Sequence, residues 1–500
     1  MGLLKSKVFM GTVVMTVFSV LVRVLGFVFR IRLADLVGTE GMGKYQLVTS
    51  VYMLGATLVT SGIGAAVTRL TAETVAKNGL SASKSVTRSA LRMVFLPGLF
   101  VGGALFFAAP LWTKLFLYDP QLVGAVRILG PCMPFIAWCA CFSGYFYGTR
   151  RVLPASFTQF LEQLVRIGVL FFGLVRMGEA PLYARVTLAV AAISLGEILS
   201  CLYIAFRYRC CKDGYGAPVH SRELLSVSMP IAANGYLNAV LRLTENVLIP
   251  RLLLISGLTM SRALSLFGLL KGMVLPVLQL PSAIISALAM NLMPALAEAH
   301  TQGHNKRVRM ALEKSIEIAC VGGILAVGLL LSFAEEVGVL LYHNREAGVL
   351  LRQLAFICPL IYLEIVLVGA LNSLGRQRTA LRNSLIDSAA KLIVLILGVP
   401  RYGFSAYLAA VAAGCVVCVA ANFSTLSKTV SISLNLRRLL VCPTFSALMA
   451  TLPVWSIKKA AGYNALPLLS RTMVGVGVFM ILFGLTFLLL KEKGGQHRDG

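Results

Sequence analysis

Long apolar runs separated by short polar segments follow one another along the whole chain. A helix that crosses a bilayer needs about 20 apolar residues, because each residue advances about 1.5 Å through a hydrocarbon core of about 30 Å. The run at 263–297 is longer than one crossing requires, so we expect a tilted, bent or extended helix there. The runs predict about fourteen transmembrane helices, near residues 8–33, 45–68, 89–111, 123–148, 154–176, 183–207, 224–249, 263–297, 315–334, 352–373, 384–399, 405–426, 439–456 and 467–490.

Basic residues in the gaps between the runs are unevenly distributed. If the N-terminus lies inside, the cytoplasmic gaps contain most of them: Lys77, Lys84, Arg88, Arg150, Arg151, Arg207, Arg209, Lys212, Lys306, Arg307, Arg309, Arg376, Arg378, Lys428, Arg437 and Arg438. The opposite gaps contain fewer: Lys44, Lys114, Arg251, Arg345, Lys458 and Lys459. Because cytoplasmic loops collect Lys and Arg, the pattern predicts an even number of crossings with both termini in the cytoplasm.

The composition supports the same class of protein. Of the 500 residues 58% are hydrophobic and 13% are charged, and the mean hydropathy is +0.83. A soluble domain has about 25% charged residues, so a soluble globular fold is excluded and an all-α polytopic membrane protein is predicted. The chain has 46 Lys and Arg against 20 Asp and Glu. No basic run is interleaved with aromatic residues, so we do not expect nucleic-acid binding; the excess fits cytoplasmic loops beside anionic lipids.

Two segments, residues 149–174 and 374–399, share a pattern of polar positions. Each begins with a basic turn and then has an acid, a base four residues later and a glycine seven residues after the base: Glu162, Arg166 and Gly173, and Asp387, Lys391 and Gly398. Repeated halves are typical of transporters whose substrate site lies between them; the alternative is chance similarity of two apolar helices. The repeat predicts an N-terminal six-helix lobe at 1–222, a C-terminal six-helix lobe at 223–430, and two further helices with a short cytoplasmic tail at 431–500.

Charges inside the apolar runs are the most informative candidates for function, because a charged side chain in lipid costs several kcal/mol. Arg23 lies roughly 22 Å into the first run at 1.5 Å per residue, so it requires a partner or a water-filled cavity. Arg30 either faces the same cavity or reaches the outer interface by snorkelling. Lys271 has no acidic partner at helical spacing. Arginine matches phosphate oxygens bidentately, so Arg23, Arg30 and Lys271 are candidates for binding an anionic headgroup.

Three runs carry an acid and a base on one helical face: Glu162 with Arg166, Arg242 with Glu245, and Asp387 with Lys391. Each pair either neutralises charge so that the helix can be buried, or takes part in gating. Glycines and prolines inside the runs predict hinges, the alternative being ordinary packing of transmembrane helices. The hinge candidates are Gly62, Gly64, Pro276 and Pro281.

Catalytic signatures are absent from the sequence. It contains no phosphate-binding G-x-x-x-x-G-K-[ST], no H-E-x-x-H and no G-x-S-x-G. We therefore expect no enzyme activity, no cofactor and no metal site.

A sodium or proton gradient, or the membrane potential, would supply the energy for any transport. The 11 cysteines lie mostly inside apolar runs and are expected to act as packing residues.

The order of several motifs resembles a known family. These motifs are Arg23-Val24-Leu25-Gly26-Phe27 with Arg30, the stretch 38–46 (GTEGMGKYQ), the stretch 144–151 followed by Glu162-Gln163-Leu164-Val165-Arg166, and Leu275-Pro276 to Pro281. Together they resemble the stage V sporulation protein B branch of the polysaccharide and oligosaccharidyl-lipid exporters, a superfamily that includes the MurJ-type lipid II flippases and the MATE exporters.

The resemblance implies two six-helix lobes around a central cavity, plus two C-terminal helices that shape a groove for a lipid tail in the lipid II flippases. It implies alternating access that moves an undecaprenyl-pyrophosphate-linked sugar from the inner to the outer leaflet. Arg23 corresponds to the arginine of the family's first-helix motif.

The sequence therefore favours a plasma-membrane flippase for a lipid-linked peptidoglycan or polysaccharide precursor, active in spore cortex or cell-wall synthesis. Its expected partners are a lipid-linked oligosaccharide and membrane lipids, with the protein as a monomer. One alternative is an ion-coupled, MATE-like drug exporter, which would need unpaired acids in its cavity. A membrane-embedded glycosyl- or prenyl-transferase would need a D-D-x-x-D type cluster, and none occurs. A non-transporting partner of wall synthesis is the remaining alternative.

Overall fold

The computed structural model describes residues 2–177, 180–214, 216, 221–460, 463 and 465–493. Within these ranges the secondary structure is helical and contains no strand, which confirms the predicted all-α class. Twelve stretches of the described residues are long and apolar enough to cross a membrane, compared with the approximate fourteen predicted. One of the twelve, Val14–Ala82, covers most of the first predicted run, 8–33, and all of the second, 45–68. Of the predicted C-terminal tail, which follows the run at 467–490, residues 491–493 are helical and 494–500 lie outside the described residues.

The first of two compact units comprises Met1–Leu254 and Leu258–Gly272. Its α-helices are α1 (Gly2–Thr60), α2 (Ile63–Asn78), α3 (Lys84–Phe107), α4 (Ala109–Trp112), α5 (Val123–Leu129), α6 (Met133–Gly148), α7 (Val152–Met177), α8 (Leu182–Cys210), α9 (Ser221–Ile255, whose last residue belongs to the second unit) and α10 (Met260–Gly268). Short 3₁₀ turns lie at Gly79–Ala82 and Pro120–Leu122, and π-helical turns at Thr113–Leu117 and Leu269–Val274, the latter running into the second unit.

The second unit comprises Ile255–Gly257 and Met273–Gly500. Its α-helices are α11 (Leu275–Gln279), α12 (Ser282–Thr301), α13 (Asn305–Tyr342), α14 (Arg345–Leu354), α15 (Cys358–Ser373), α16 (Gln377–Tyr402), α17 (Phe404–Ser427), α18 (Cys442–Lys458) and α19 (Leu468–Lys493). A 3₁₀ turn spans Ala355–Ile357 and a π-helical turn spans Arg437–Val441. The lobe boundaries expected after residues 222 and 430 remain predictions.

Glycine and proline lie at several of the irregular points of the helices. Within α1, Gly38 takes a non-helical conformation with φ 65° and ψ −171°, and Gly62 precedes α2 with φ 77°, a backbone region that glycine enters at little cost. The run 263–297, for which a tilted, bent or extended helix was expected, is divided into α10, a π-helical turn, α11 and α12. Pro276 lies in the first turn of α11 and Pro281 directly precedes α12, whereas the fourth hinge candidate, Gly64, lies inside α2.

Aromatic clusters hold helices together within each unit. In the first unit, Tyr145 and Phe146 of α6 pack with Ile204 and Tyr208 of α8 in a buried cluster. In the second unit, Phe333 of α13 packs with residues of α18 and α19, namely Ala447, Ala450, Val454, Phe479 and Phe483. The described part of the second unit therefore includes the last two helices as a packed extension of α13. Between helices that lie in a bilayer, such packing stabilises through van der Waals contact, because lipid is as apolar as these side chains.

Hydrogen bonds and an ion pair connect residues 211–214, which follow α8, to other parts of the first unit. Arg151 donates to both carboxylate oxygens of Asp213, at 2.8 and 3.1 Å, and the Tyr145 hydroxyl donates to the same carboxylate. The buried Lys84 ammonium donates to the carbonyl of Cys211 at 2.5 Å. Burial by itself raises the pKa of Asp213, but the hydrogen bonds from Tyr145 and Arg151 outweigh it, so this pKa is lowered.

We expect Asp213→Asn to lower the stability at neutral pH by about 1 to 3 kcal/mol, because the charged acceptor of Arg151 is lost. A lowered carboxyl pKa contributes stability above the unfolded value of about 3.9 and loses it as the pH falls through the folded value. The stability difference between wild type and variant therefore shrinks below about pH 4. Melting temperatures in detergent between pH 7 and pH 3 measure this, with Glu73→Gln at the exposed Arg69–Glu73 pair as the control. A difference that does not change with pH contradicts the assignment.

Candidate functional site

A network of charged groups joins three helical segments inside the first unit. Glu162 and Arg166 of α7 form an ion pair, as predicted, and Arg166 also lies 3.1 Å from Glu197 of α8. The Tyr52 hydroxyl of α1 donates to Glu197 at 2.6 Å. The side chains of Arg166 and Glu197 are only 16% and 10% exposed. Helical spacing predicts the Glu162 contact but not those of Glu197 and Tyr52, which are 31 and 145 residues from their partners.

The net charge of this network follows from the number of its acidic and basic groups. Two carboxylates share one guanidinium, so the group has a net negative charge when both acids are ionised and becomes neutral when one takes up a proton. The Arg166 Nε atom is buried and has no hydrogen-bond acceptor. Across the described ranges, no group of three or more His, Cys, Asp or Glu side chains is placed to hold a metal ion. Among the described residues, the network therefore contains one more acidic group than basic groups.

Arg23 and Arg30 lie seven residues apart on α1, so they share one face about two turns apart. Arg23 is exposed and Arg30 is half-buried. Among the described residues, no ion pair connects either guanidinium to a carboxylate. Tyr45 lies within electrostatic range of both Arg30 and Arg166.

α1 is positioned by its packing against α7. The ring of Phe18 meets Phe157 and Phe160 edge to face, with centroids 6.2 and 5.8 Å apart, and Gly26 faces the side chain of Gln163. Aromatic pairs with this geometry are favourable beyond their buried area by about 0.5 to 1.5 kcal/mol. The contact holds the helix that carries both arginines against the helix that carries Glu162 and Arg166.

The expectation that Lys271 has no acidic partner is wrong. Its ammonium lies 2.8 Å from the carboxylate of Glu245, and the two residues are 26 positions apart, beyond what helical spacing predicts. Glu245 was expected to pair with Arg242 of the same helix; the structure places Lys271 beside it, and Arg242 is exposed. Next to this pair, Asn246 donates to Ser50 of α1 at 2.8 Å and keeps a buried, unsatisfied carbonyl oxygen.

The second unit contains the other predicted pair, with its ions 2.8 Å apart between Asp387 and Lys391 of α16. A glycine of the following helix, Gly414, lies directly against both side chains. The first unit has the same arrangement, since Gly196 of α8 lies against the Glu162–Arg166 pair, and a Cβ there would come 3.2 Å from Arg166 Cγ. The two segments with the shared sequence pattern therefore also have a similar arrangement of ion pair and glycine.

A family profile described as "Polysaccharide biosynthesis protein" matches residues 8–300. The chain belongs to this family. Over 514 aligned residues it is 26% identical to "Stage V sporulation protein B" of Bacillus subtilis (strain 168), covering 98% of this chain and 97% of the relative. This agrees with the resemblance of the sequence motifs.

Solved structures share the fold of this polysaccharide biosynthesis family member. "Lipid II flippase MurJ, inward closed conformation" superimposes with a TM-score of 0.72 over 96% of this chain and 99% of that chain, at 13% identity. A multidrug resistance MATE family transporter of the MOP superfamily, in an inward-facing conformation, gives a TM-score of 0.64 over 81% and 94% of the two chains, at 15% identity. With the apolar helices, these likenesses identify a multi-pass membrane protein of the MurJ and MATE fold.

We expect Gly414→Ala to destabilise this family member by about 1 to 3 kcal/mol, because the added methyl overlaps Lys391 and Asp387 and forces their ion pair apart. Gly477→Ala is the matched control in α19, where a Cβ meets nothing within 4 Å, and it should stabilise the helix by about 0.5 to 1 kcal/mol. Denaturant unfolding in detergent compares the two variants. Equal stability of both would show that Gly414 does not position the pair.

Proposed function

We propose that this protein is a flippase that moves an undecaprenyl-pyrophosphate-linked peptidoglycan or polysaccharide precursor across the plasma membrane by alternating access. The observation that carries the proposal is the charge of α1: Arg23 and Arg30 share a face and have no carboxylate partner among the described residues. The likenesses to a stage V sporulation protein B and to a lipid II flippase support the same conclusion.

Three other cations of the apolar helices differ from Arg23 and Arg30 in this respect. Arg166, Lys271 and Lys391 each have a carboxylate partner at hydrogen-bond distance, so their charge is compensated within the protein. Arg23 and Arg30 supply positive charge that the described residues do not neutralise. Two guanidinium groups on one helical face suit a diphosphate, because each binds phosphate oxygens through paired, charge-assisted hydrogen bonds. In this proposal Lys271 contributes only when the substrate competes with Glu245.

The ion pairs and helix breaks have supporting roles in the transport cycle. Glu162–Arg166 and Asp387–Lys391 act as structural or gating pairs, one in each unit, and the breaks at Gly62, Pro276 and Pro281, with Gly64, act as flexible points. Energy comes from the membrane potential or from a sodium or proton gradient. Of the two ions, we favour the proton as the coupling ion. One of the two carboxylates around Arg166 can bind a proton while the other keeps its contact with the guanidinium. The protein acts as a monomer with both termini in the cytoplasm, during spore cortex or cell-wall synthesis.

Reconstitution tests the proposal directly. Proteoliposomes containing the purified protein and a fluorescent undecaprenyl-pyrophosphate-linked disaccharide are expected to expose the lipid headgroup to an external quencher faster than empty liposomes do. Mass spectrometry of lipids that co-purify with the protein identifies the native precursor. Translocation no faster than in empty liposomes, together with ion-coupled efflux of a cationic drug, would refute the flippase and favour the MATE-like exporter.

A further inference from the structure

A cavity outside the proposed transport site opens where α13 begins in the second unit. It has a volume of about 630 Å³, within the range of small-molecule sites, about 300 to 1,000 Å³. One wall is formed by four residues of α13, and the other by the segment 433–439 that leads into α18: Met310, Glu313, Lys314 and Glu317 face residues 433–439. We call it the α13 pocket. The clusters Lys306–Arg309 and Arg437–Arg438 place it on the predicted cytoplasmic side.

The two carboxylates of the α13 pocket are already bound by the protein. Glu313 accepts from Arg309 at 2.9 Å and from the backbone and hydroxyl of Ser433 at 2.7 and 3.0 Å. Glu317 lies 3.2 Å from Lys314 and 3.6 Å from Lys491. These acids therefore do not repel an anionic ligand as free carboxylates would.

Two arginines of the pocket, Arg437 and Arg438, can bind an anionic ligand. Within the part of the chain that the structure describes, no acidic group pairs with the side chains of Arg437 or Arg438. Their backbone amides face the Asn435 side-chain oxygen at 3.2 and 3.4 Å, so the guanidinium groups rather than the helix terminus are the donors that remain. The pocket and its ion-pair partners have a surplus of positive charge. The bases are Arg309, Lys314, Lys491, Arg437 and Arg438, and the acids are Glu313 and Glu317.

Apolar side chains border this charge. Leu436, Leu440 and Val441 are 64%, 49% and 60% exposed beside the arginines, and Met310 is 53% exposed on the facing helix. A cationic pocket with an adjoining apolar face at the cytoplasmic end of membrane helices matches a phospholipid, whose phosphate lies at the interface and whose chains enter the bilayer. We propose that the α13 pocket binds the phosphate headgroup of an anionic phospholipid from the inner leaflet, with its acyl chains against Leu440 and Val441.

The test uses the purified full-length protein and phosphatidylglycerol, compared with phosphatidylcholine of the same acyl chains. Native mass spectrometry is expected to show retained phosphatidylglycerol, which also raises the melting temperature in detergent. The double variant Arg437→Gln, Arg438→Gln should bind it about tenfold or more weakly, because each basic residue near anionic lipid contributes to attraction. If the double variant does not fold, Arg437→Gln alone, at an exposed position, is expected to weaken binding several-fold.

The matched control is Arg376→Gln, Arg378→Gln, which removes the same charge from two exposed positions of the same unit outside the pocket. It should keep the wild-type preference for phosphatidylglycerol. Three results would overturn the proposal: unchanged binding by the pocket variant, equal loss in the control variant, or stabilisation by inorganic phosphate alone that equals that of the lipid. Because the assay measures lipid retention rather than precursor translocation, its outcome is independent of the flippase proposal.

Discussion

Arg23→Ala is expected to slow precursor translocation in proteoliposomes about 10- to 100-fold, since one charged hydrogen-bonding group contributes about 1.5 to 3 kcal/mol. The reason is that Arg23 is an intramembrane cation for which the described residues supply no carboxylate. Arg30→Ala, at a half-buried position on the same face, should slow it by a similar factor. Arg23→Lys retains charge without the bidentate geometry and is expected to fall between wild type and alanine.

The control for this experiment is Arg69→Ala, which removes an arginine whose side chain is 67% exposed and paired with Glu73. It should translocate precursor at the wild-type rate. Both α1 variants should keep the wild-type melting temperature, because neither guanidinium holds an ion pair among the described residues. A normal rate in well-folded Arg23→Ala and Arg30→Ala proteins would refute the assignment of the anionic site to α1.

Arg166→Met is expected to lower the free energy of unfolding by about 3 to 5 kcal/mol, the cost of removing one partner from a buried ion pair. The substitution leaves Glu162 and Glu197 inside the first unit without the guanidinium that lies between them. It also removes the group that compensates the carboxylate bound by Tyr52. Denaturant titration in detergent, followed by tryptophan fluorescence, measures the loss.

Two further variants separate charge from packing in this network. Arg166→Lys keeps the positive charge and should lose less stability than Arg166→Met. The triple variant Glu162→Gln, Arg166→Met, Glu197→Gln removes the unpaired acids and should recover part of the loss, since neutral groups of similar shape cost less to bury. Loss of stability in Arg166→Met no greater than in Arg69→Met, at the exposed pair, would show that the network is not a major stabilising element.

Helix positions and local ion pairs could be predicted because both depend on short-range geometry. The length of an apolar run is enough to predict a crossing, and the spacing of four residues places Glu162 beside Arg166 and Asp387 beside Lys391. The irregular stretch 263–297 was predictable from its length and prolines. The kink at Gly38, where φ 65° and ψ −171° lie outside the helical region, separates two helical parts of α1, which correspond to two apolar runs of the sequence.

Contacts between distant residues could not be predicted in this way. The pairing of Lys271 with Glu245 was missed, as were the places of Glu197 and Tyr52 in the Arg166 network, because each joins helices whose relative orientation is not encoded in local spacing. The α13 pocket was missed for the same reason, although its basic residues were visible as loop charges. The sequence shows that Arg437 and Arg438 are basic residues of a loop. It does not show that residues of α13 lie opposite them.

The sequence alone determined the membrane class, the approximate helix positions, the two i,i+4 ion pairs and the arginines of α1, because hydropathy and helical periodicity act over a few turns. Only the tertiary structure decided that Lys271 is compensated, by Glu245, and that Arg166 has a second carboxylate partner, Glu197, far along the chain. The physical reason is that Coulomb interactions depend on distance in space, and packing of whole helices sets that distance between residues far apart in the sequence.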